Sequence, residues 1–589
     1  MLPTRTILLA SLCLSLAAAR VESQSPAAMA GDSMAAQVTR LADQYVTTLL
    51  RTFPETATWE GLPGHDHDRL DDNSLAAVRR WQDFEDRLLS QVKQLDGNAL
   101  TGRQEWVTYG FLREALEASV GTRICRQELW PANQMSGWQV NYASLIRLQP
   151  VGTARARAQA LARWGQLPRV LRVETANLRE GLREGYSTPR HNVELVLAQL
   201  DSLLAAPTER SPFFAPAEQD SAPEFRARWT RLLERELRPA IRRYRDFLAS
   251  EYLPHARDAI AVSAHPQGAA CYAARLRSLT SLEWSGAEVF RAGEAGVRER
   301  ERLAAAIGER LYGTTSLDSI RARQHRLPPS SRDQVLAHTR AMLSRARDSL
   351  PRWVGRLPAA EVIVEPMRSY EEATGFSHYE QASEDMTRPA TYVINLNPEQ
   401  QPPADADDIA FHEVWPGHHL QFAIARERPR SHRITRLIGN SAFAEGWARY
   451  AEQLADEMGL YSSDTTRLAL YLRSPTGMVV DPGIHAMGWT RDQAIVYTMA
   501  KQGGARQRVE AYVDRIAVWP GQMTSYGLGE LEIRRLRKDA EGRLGGRFNI
   551  RAFHDAVLGN GGVTLLMLRQ EIERWMARVD TTAGPKARP

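Results

Sequence analysis

The spacing of apolar and polar positions changes character once along the chain, near residue 359. Between about residue 35 and about residue 356, segments rich in Ala, Leu, Glu and Arg follow one another, and this composition favours helix after helix. One helix start is explicit, because Ser285 can cap a helix and Glu288 completes a capping box ahead of the helix-forming stretch 289–312. The first half of the chain is therefore predicted to be helical.

Two short β-branched runs, residues 361–366 and 390–396, follow this region and predict strands. Acidic residues then favour a helix N-terminus shortly before His412, and further helices extend to the C-terminus. We therefore predict a mainly α-helical fold with a small β-sheet beside the helix that carries His412. The helical region, residues 20–356, is expected to pack as one unit with the remainder, residues 357–589.

The first 19 residues have the pattern of a secretory signal peptide. One positive charge at Arg5 precedes an apolar run from Ile7 to Ala19, which is too short to span a membrane comfortably. Cys13 follows Leu12 rather than the small residue typical of lipoprotein processing, so cleavage near Ala19 is favoured over lipid anchoring. We expect a periplasmic or secreted protein without a membrane segment after cleavage.

Charge and cysteine content narrow the class of protein further. A formal net charge of +5 over 589 residues, with no long basic block, does not indicate a nucleic-acid partner. Cys125 and Cys271 remain after cleavage and can pair in an oxidising compartment. The sequence indicates no particular oligomeric state.

The segment His-Glu-Val-Trp-Pro-Gly-His-His, from His412 to His419, contains a candidate zinc motif. A hydrolytic zinc needs about three protein ligands and one open position. The helical motif H-E-x-x-H supplies two His on one face, with the Glu as general base. Here Pro416 and Gly417 stand where the second His is expected. Removing both restores H-E-V-W-H, so we interpret them as an insertion that bulges the helix and returns His418 to the metal.

Two alternatives for the second ligand remain, and a third ligand is needed. In an undistorted helix His419 lies two turns from His412, about 10 Å away, so the spacing favours His418 as the ligand. His419 would then support a ligand or face the substrate. Glu445, which lies among small residues on a following predicted helix, is the preferred third ligand. Glu452 on the same helix is placed to orient a ligand.

Four ordered blocks resemble a known family. The run H-E-V-W-P-G-H-H-L-Q resembles the signature of the bacterial family filed as domain of unknown function 885, which is grouped with the gluzincin-type zinc metallopeptidases. Three later blocks are similar to its other motifs: residues 443–452, 480–490 and 513–526.

The resemblance implies a largely α-helical fold around a gluzincin-like site. It implies Zn²⁺ held by His412, His418 and Glu445, with Glu413 as the base. The expected chemistry is that Glu413 takes a proton from a zinc-activated water and passes it to the leaving amine.

Tyr526 and His485 are the candidates for stabilising the oxyanion, because hydrolases of this broad type resemble one another in using a Tyr or His there. The alternatives are a half-buried Tyr with a satisfied hydroxyl and a His that caps a helix. Arg515 either pairs with a substrate carboxylate or bridges to an Asp or Glu. Tyr392 and Asn395, in the second predicted strand, belong either to a sheet edge on which a peptide lies as an added strand or to an ordinary core strand.

The sequence thus predicts an exported zinc metallopeptidase, with residues 357–589 as the catalytic region and a peptide as substrate. Surrounding helices favour short peptides and exo-cleavage of one or two residues. One alternative is a zinc amidase acting on non-peptide or cell-wall amides. The other is a non-catalytic metal-binding periplasmic protein, which would have no need of Glu413.

Overall fold

The structure is a computed structural model that describes residues 26–325, 331–367, 372, 376–383, 387–397, 406–428 and 432–582. The predicted signal peptide, residues 1–19, lies outside the described residues. Within them the protein is mainly helical with a small sheet, as the sequence predicts. None of the helices in these ranges has the length and apolar character needed to cross a bilayer.

Helices dominate the chain ahead of the sheet. Ser285 and Glu288 form the predicted capping box at the start of one of the two longest helices of this region, which begins at Gly286. The α-helices described here are α1 (Pro26–Thr52), α2 (Glu55–Trp59), α3 (Leu75–Val92), α4 (Glu105–Thr122), α5 (Trp138–Leu145), α6 (Ala154–Trp164), α7 (Leu167–Glu184), α8 (Arg190–Ala205), α9 (Ala215–Gln219), α10 (Pro223–Leu232), α11 (Arg238–Phe247), α12 (Gly268–Thr280), α13 (Gly286–Tyr312), α14 (Leu317–His325) and α15 (Arg332–Ser349).

The sheet has three strands, β1 (Val362–Pro366), β2 (His378–Glu380) and β3 (Ala390–Ile394), in the order β1-β3-β2. β1 and β3 are the two predicted strands, and they pair in parallel. β2 pairs antiparallel with β3, with Tyr379 opposite Tyr392. The strand that follows last in the chain is therefore the central one, and β2 forms an edge of the sheet.

Helices resume after the sheet and continue to residue 582. The described α-helices are α16 (Ala406–Glu413), α17 (His418–Arg426), α18 (Ile434–Leu437), α19 (Ser441–Glu457), α20 (Asp464–Leu472), α21 (Gly477–His485), α22 (Arg491–Gln502), α23 (Arg506–Val518), α24 (Gln522–Leu544), α25 (Ile550–Leu558) and α26 (Leu565–Thr582).

The largest hydrophobic core draws on both halves of the chain. Val38 of α1 and Leu112 of α4 belong to the same buried cluster as Tyr392 of β3, Phe411 of α16 and Trp447 of α19. Each of these side chains is excluded from solvent. Burial of apolar surface on this scale is the main stabilising contribution to a fold, so the elements around His412 are held in part by the first helices of the chain.

A second core lies within the helical region and is bounded by a disulfide. Trp164 and Trp229 are fully buried in a cluster formed mainly by α5 to α11. Cys125, just after α4, is bonded to Cys271 of α12, as their number and the predicted compartment allow. Most of the second core is formed by residues that lie between these two cysteines, so the bond links the two ends of that segment.

Candidate metal centre

His412, His418 and Glu445 come together in one polar cluster. Nε2 of His412 lies 3.6 Å, and Nε2 of His418 3.5 Å, from Oε2 of Glu445. One potential ligand atom from each of the three residues lies within 4.8 Å of the others. Tetrahedral zinc with bonds of about 2.0–2.2 Å sets its ligand atoms roughly 3.3–3.6 Å apart. The two nitrogen–oxygen distances agree with this range, and they exceed the roughly 2.8 Å of a direct charge-assisted hydrogen bond.

The Pro-Gly insertion explains how His418 reaches this point. α16 ends at Glu413 and α17 begins at His418, so the helix is interrupted rather than continuous. The backbone N–H of Leu420 donates to the carbonyl of Val414, six residues earlier instead of four. A Cβ at Gly417 would overlap the carbonyl oxygens of Phe411 and His412, so only glycine fits here. The two extra residues loop out as predicted.

Helix α19 presents Glu445 to the two histidines. It begins at Ser441, and the side chain of Asn440 caps it by accepting from the backbone N–H of Phe443 at 3.0 Å. Gly446, next to the carboxylate-bearing residue, lies against Gly529 of α24, where a Cβ on either glycine would overlap backbone atoms. This close crossing brings α24 beside the cluster.

Glu452 orients His412, as the sequence predicts. Nδ1 of His412 donates to Oε1 of Glu452 at 2.8 Å, which leaves Nε2 facing Glu445. The other carboxylate oxygen of Glu452 lies 2.7 Å from Nη1 of Arg449. Glu452 is fully buried and Arg449 is only 6% exposed, so this charge pair is shielded from solvent. The imidazole is therefore fixed from behind by a buried carboxylate and guanidinium.

The imidazoles and the carboxylates at the cluster each stabilise the charged form of the other. Burial alone would lower the pKa of His412, but the carboxylates of Glu445 and Glu452 raise this pKa to about 10. Burial alone would raise the pKa of Glu445, but the imidazoles of His412 and His418 that face its carboxylate hold this pKa well below its usual range. The centre is thus arranged to hold positive charge between its carboxylates.

Glu413 is held by the edge strand of the sheet. The backbone N–H of Tyr379 donates to Oε2 of Glu413 at 3.0 Å. This N–H points away from β3. The backbone of β2 therefore offers one donor on the side of the sheet edge where Glu413 lies. Glu413 is half-buried, so it is not closed off from solvent.

His419 lies behind the cluster and is excluded from solvent. Its Nε2 donates to the carbonyl of Ala360 at 3.1 Å, and its Nδ1 accepts from the hydroxyl of Tyr379 at 3.1 Å. Burial lowers the pKa of His419 to about 4, which keeps the ring neutral. With both nitrogens in use, His419 does not contact a substrate directly, and it positions Tyr379 instead.

Tyr526 and Arg515 flank the cluster from α24 and α23. The ring of Tyr526 lies nearly parallel to that of His412, with the centroids 6.4 Å apart. Burial and the charge of Glu445 raise the pKa of Tyr526 well above its usual range, so the hydroxyl keeps its proton. This hydroxyl accepts from Nη2 of Arg515 at 3.5 Å. No carboxylate in the described ranges lies within ion-pairing distance of Arg515.

His485 does not serve as an oxyanion donor in this structure, and this prediction is corrected. The ring is fully buried; its Nδ1 accepts from the backbone N–H of Val262 at 3.0 Å, and its Nε2 donates to the carbonyl of Ile516 at 3.0 Å. Burial lowers the pKa of His485 to about 3. The residue joins three backbone segments as a neutral structural histidine.

Of the two alternatives for Tyr392 and Asn395, the ordinary core strand is the one observed and the substrate edge is corrected, because β3 is the central strand. Tyr392 is fully buried. The Asn395 side chain donates to the carbonyl of Glu372 at 2.9 Å and accepts from the backbone N–H of Asn397 at 2.8 Å. Both residues stabilise the sheet and its connections, and the edge that faces the cluster is β2.

Sequence reasoning missed Tyr379. Its strand is only three residues long, His-Tyr-Glu, and contains no β-branched residue that could have indicated it. The pairing of β2 with β3, which brings Tyr379 to Glu413, depends on contacts between distant segments. A local pattern therefore had no signal for this residue.

A family model covers almost the whole of this architecture. The family described as "Bacterial protein of unknown function (DUF885)" matches residues 54–572. The chain belongs to this family. Within this DUF885 protein, the match includes the cluster and both regions that flank the sheet. No curated protein sequence matches the chain.

Two solved structures share the fold of this DUF885 protein. One is a candidate lipoprotein from Colwellia psychrerythraea, with a TM-score of 0.84 and 21% identity over 92% of this chain and 99% of that one. The other is a candidate lipoprotein of unknown function from Shewanella oneidensis, with a TM-score of 0.72 and 17% identity over 90% of this chain and 99% of that one. At these identities the likeness shows a common fold.

Proposed function

We propose that the protein is an exported zinc-dependent peptidase of the gluzincin type that hydrolyses short peptides. One observation carries the proposal: two imidazole nitrogens and one carboxylate oxygen lie within 4.8 Å of one another, and the charge of Glu413 also acts on His412. Two His and one Glu are a ligand set of catalytic zinc, which keeps one position open. A purely structural zinc site would normally be closed by a fourth protein ligand.

Each residue of the site has a distinct part in the proposed reaction. Zinc held by His412, His418 and Glu445 would supply Lewis acidity and lower the pKa of water. Glu413 takes the proton of the attacking water and returns it to the leaving nitrogen of the peptide bond. Tyr526 donates its hydroxyl proton in a hydrogen bond to the carbonyl oxygen as negative charge develops.

The free side of β2 is the proposed docking edge for the peptide. The N–H of Tyr379 already points away from β3, towards Glu413. A peptide that adds to β2 as a further strand would run alongside the metal ligands, with its backbone paired and its side chains alternating between two faces. The proposed docking edge is therefore β2, and not β3 as one alternative from the sequence had it.

Export is part of the same proposal. The N-terminal pattern of a charged start and an apolar run supports it. The disulfide between Cys125 and Cys271 also supports it, because such bonds persist mainly in oxidising compartments.

The test is metal analysis combined with peptide cleavage by the mature chain and by Glu413→Gln. We expect about one zinc per chain in both proteins, with cleavage of a mixed short-peptide library reduced roughly 10²–10⁴-fold in the variant, as for loss of a general base. Glu510→Gln is the matched control, because Glu510 makes only a surface ion pair with Arg506 at 2.8 Å.

Two results would contradict the proposal. Zinc-loaded wild-type protein that cleaves no peptide in the library would exclude a peptidase. Equal cleavage by wild type and Glu413→Gln would remove Glu413 from the reaction.

A further inference from the structure

Arg515 makes unusual use of its guanidinium. The buried Arg449 forms an ion pair with Glu452, and the half-buried Arg257 donates to the backbone carbonyl of Ala261. Nη2 of Arg515 donates only to the side chain of Gln522 at 2.8 Å and to the hydroxyl of Tyr526 at 3.5 Å. Its Nε is buried without an acceptor, and no described residue accepts from its Nη1. In the part of the chain that the structure describes, no carboxylate pairs with the charge of this arginine beside the cluster.

The face of α23 that carries Arg515 also contacts the segment that leads into β2, the proposed docking edge. Arg508 lies seven residues earlier, two turns along the same face, about 10 Å away. Its guanidinium lies over the ring of Phe376, 5.9 Å from the centroid, and Phe376 precedes β2 by two residues. Arg515 itself lies over the ring of Trp519 at 5.4 Å, which fixes its position. The contact between Arg508 and Phe376 therefore places this face of α23 beside the segment that leads into β2.

We infer that Arg515 binds the C-terminal carboxylate of the substrate, so that the enzyme removes residues from the C-terminus of short peptides. This inference rests on the proposed peptidase function and defines its substrate class. A planar guanidinium is well suited to a carboxylate, and the pair gains from the half-buried setting. Among the described residues at the cluster, the carboxylates of Glu413, Glu445 and Glu452 already have partners, so none of these three is placed to hold a peptide amino group.

The distance from Arg515 to the ligands sets the length of the leaving segment. A single tyrosine, Tyr526, separates the guanidinium from the ring of His412. An extended residue spans about 3.3–3.6 Å, so one or two residues fit between the scissile bond and the anchored carboxylate.

Equilibrium binding tests the anchor without relying on turnover. A tripeptide with a free C-terminus and its C-terminal amide are titrated by calorimetry into zinc-loaded Glu413→Gln. We expect the acid to bind about 10- to 100-fold more tightly than the amide, as for a charge-assisted hydrogen bond. Adding Arg515→Met removes this difference, Arg515→Lys keeps part of it, and the surface control Arg506→Gln keeps all of it.

Cleavage by the wild-type chain provides the second readout. C-terminal amidation should lower kcat/KM about 10- to 100-fold, N-terminal acetylation should change it less than about threefold, and the products should be one or two C-terminal residues. Equal binding of the acid and the amide would overturn the inference. Undiminished cleavage of a peptide whose only carboxylate is an internal Asp, or the side chain of an amidated C-terminal Asp, would overturn it as well. If zinc is bound and no peptide is cleaved, the proposed function fails, while the titration still decides whether Arg515 holds a carboxylate. An Arg515 variant that melts as wild type and retains the acid preference also refutes the anchor.

Discussion

The buried carboxylate behind His412 provides a sharp test of how the cluster is held together. Glu452→Gln keeps the shape of the side chain and its hydrogen bond to Nδ1 of His412, but it removes the charge that faces both this imidazole and Arg449. Because Glu452 is fully buried, solvent cannot replace that charge. The substitution therefore isolates the electrostatic contribution of one carboxylate.

Two effects follow, and the structure indicates their size. Loss of the partner that orients a metal-binding histidine typically lowers metal affinity 10- to 100-fold, or about 1.4–2.7 kcal/mol. Arg449 keeps only the carbonyl of Arg473 at 2.9 Å and the more distant carboxylate of Glu530 at 3.9 Å. Breaking a buried charge pair from one side costs about 3–5 kcal/mol, so we also expect the free energy of unfolding to fall by about 3 kcal/mol.

Chelator competition measures the zinc affinity, and urea unfolding of the metal-free proteins measures the stability. Glu457→Gln is the matched control, since Glu457 lies on the same helix and pairs with Arg537 at 2.8 Å, but is 43% exposed. We expect this control to change zinc affinity less than twofold and stability by less than about 0.5 kcal/mol. If Glu452→Gln binds zinc as tightly as wild type, the buried carboxylate does not tune the cluster and the reasoning fails.

Three further predictions concern the remaining residues. His418→Ala should lose zinc whereas His419→Ala should retain it, as measured by metal analysis; the reverse pattern would contradict the ligand assignment. Tyr379→Phe, which removes the hydroxyl bonded to His419, should lower kcat about three- to tenfold at unchanged zinc content, since one hydrogen bond contributes about 0.5–1.5 kcal/mol; unchanged kcat would show that His419 does not position β2. Burial raises the pKa of Glu174 from 4.5 to about 7, and its carboxylate accepts from the hydroxyl of Tyr244 at 2.5 Å. The folded state therefore keeps a proton that the unfolded chain releases between about pH 4.5 and 7, and stability falls by about 3 kcal/mol as pH rises through this window. Urea unfolding at pH 5 and pH 8 should show Glu174→Gln reducing this difference; equal pH dependence in both proteins would contradict it.

The sequence was informative where chemistry and local geometry coincide. The near-miss H-E-V-W-P-G-H-H predicted a two-residue bulge, and the hydrogen bond from Leu420 to Val414 has the corresponding spacing of six residues. Glu445 and Glu452 lie on one face of a single helix. That both side chains approach His412 therefore follows from helical periodicity. These contacts depend on spacing that a sequence shows directly.

Residues brought together by sheet pairing could not be predicted in this way. β3 is composed of β-branched and apolar residues that suit either an edge or a centre, and only its pairing with both neighbours decides between them. His485 lies in a block that resembles a family motif, yet its two backbone partners come from residues 262 and 516. A motif shows which residues belong together, but the hydrogen-bond partners that fix their roles come from distant parts of the chain.

The shared hydrophobic core determines how the protein can be divided. Phe411 and Trp447, which lie close to His412 and Glu445 in the chain, are buried in the same hydrophobic core as Val38 and Leu112. A fragment that starts at residue 357 would leave this surface uncovered, and large apolar surfaces of that kind promote aggregation. Residues 357–589 are therefore not a transferable module: transplanting the motifs around His412 into another protein would also require α1 and α4, whose side chains share this core.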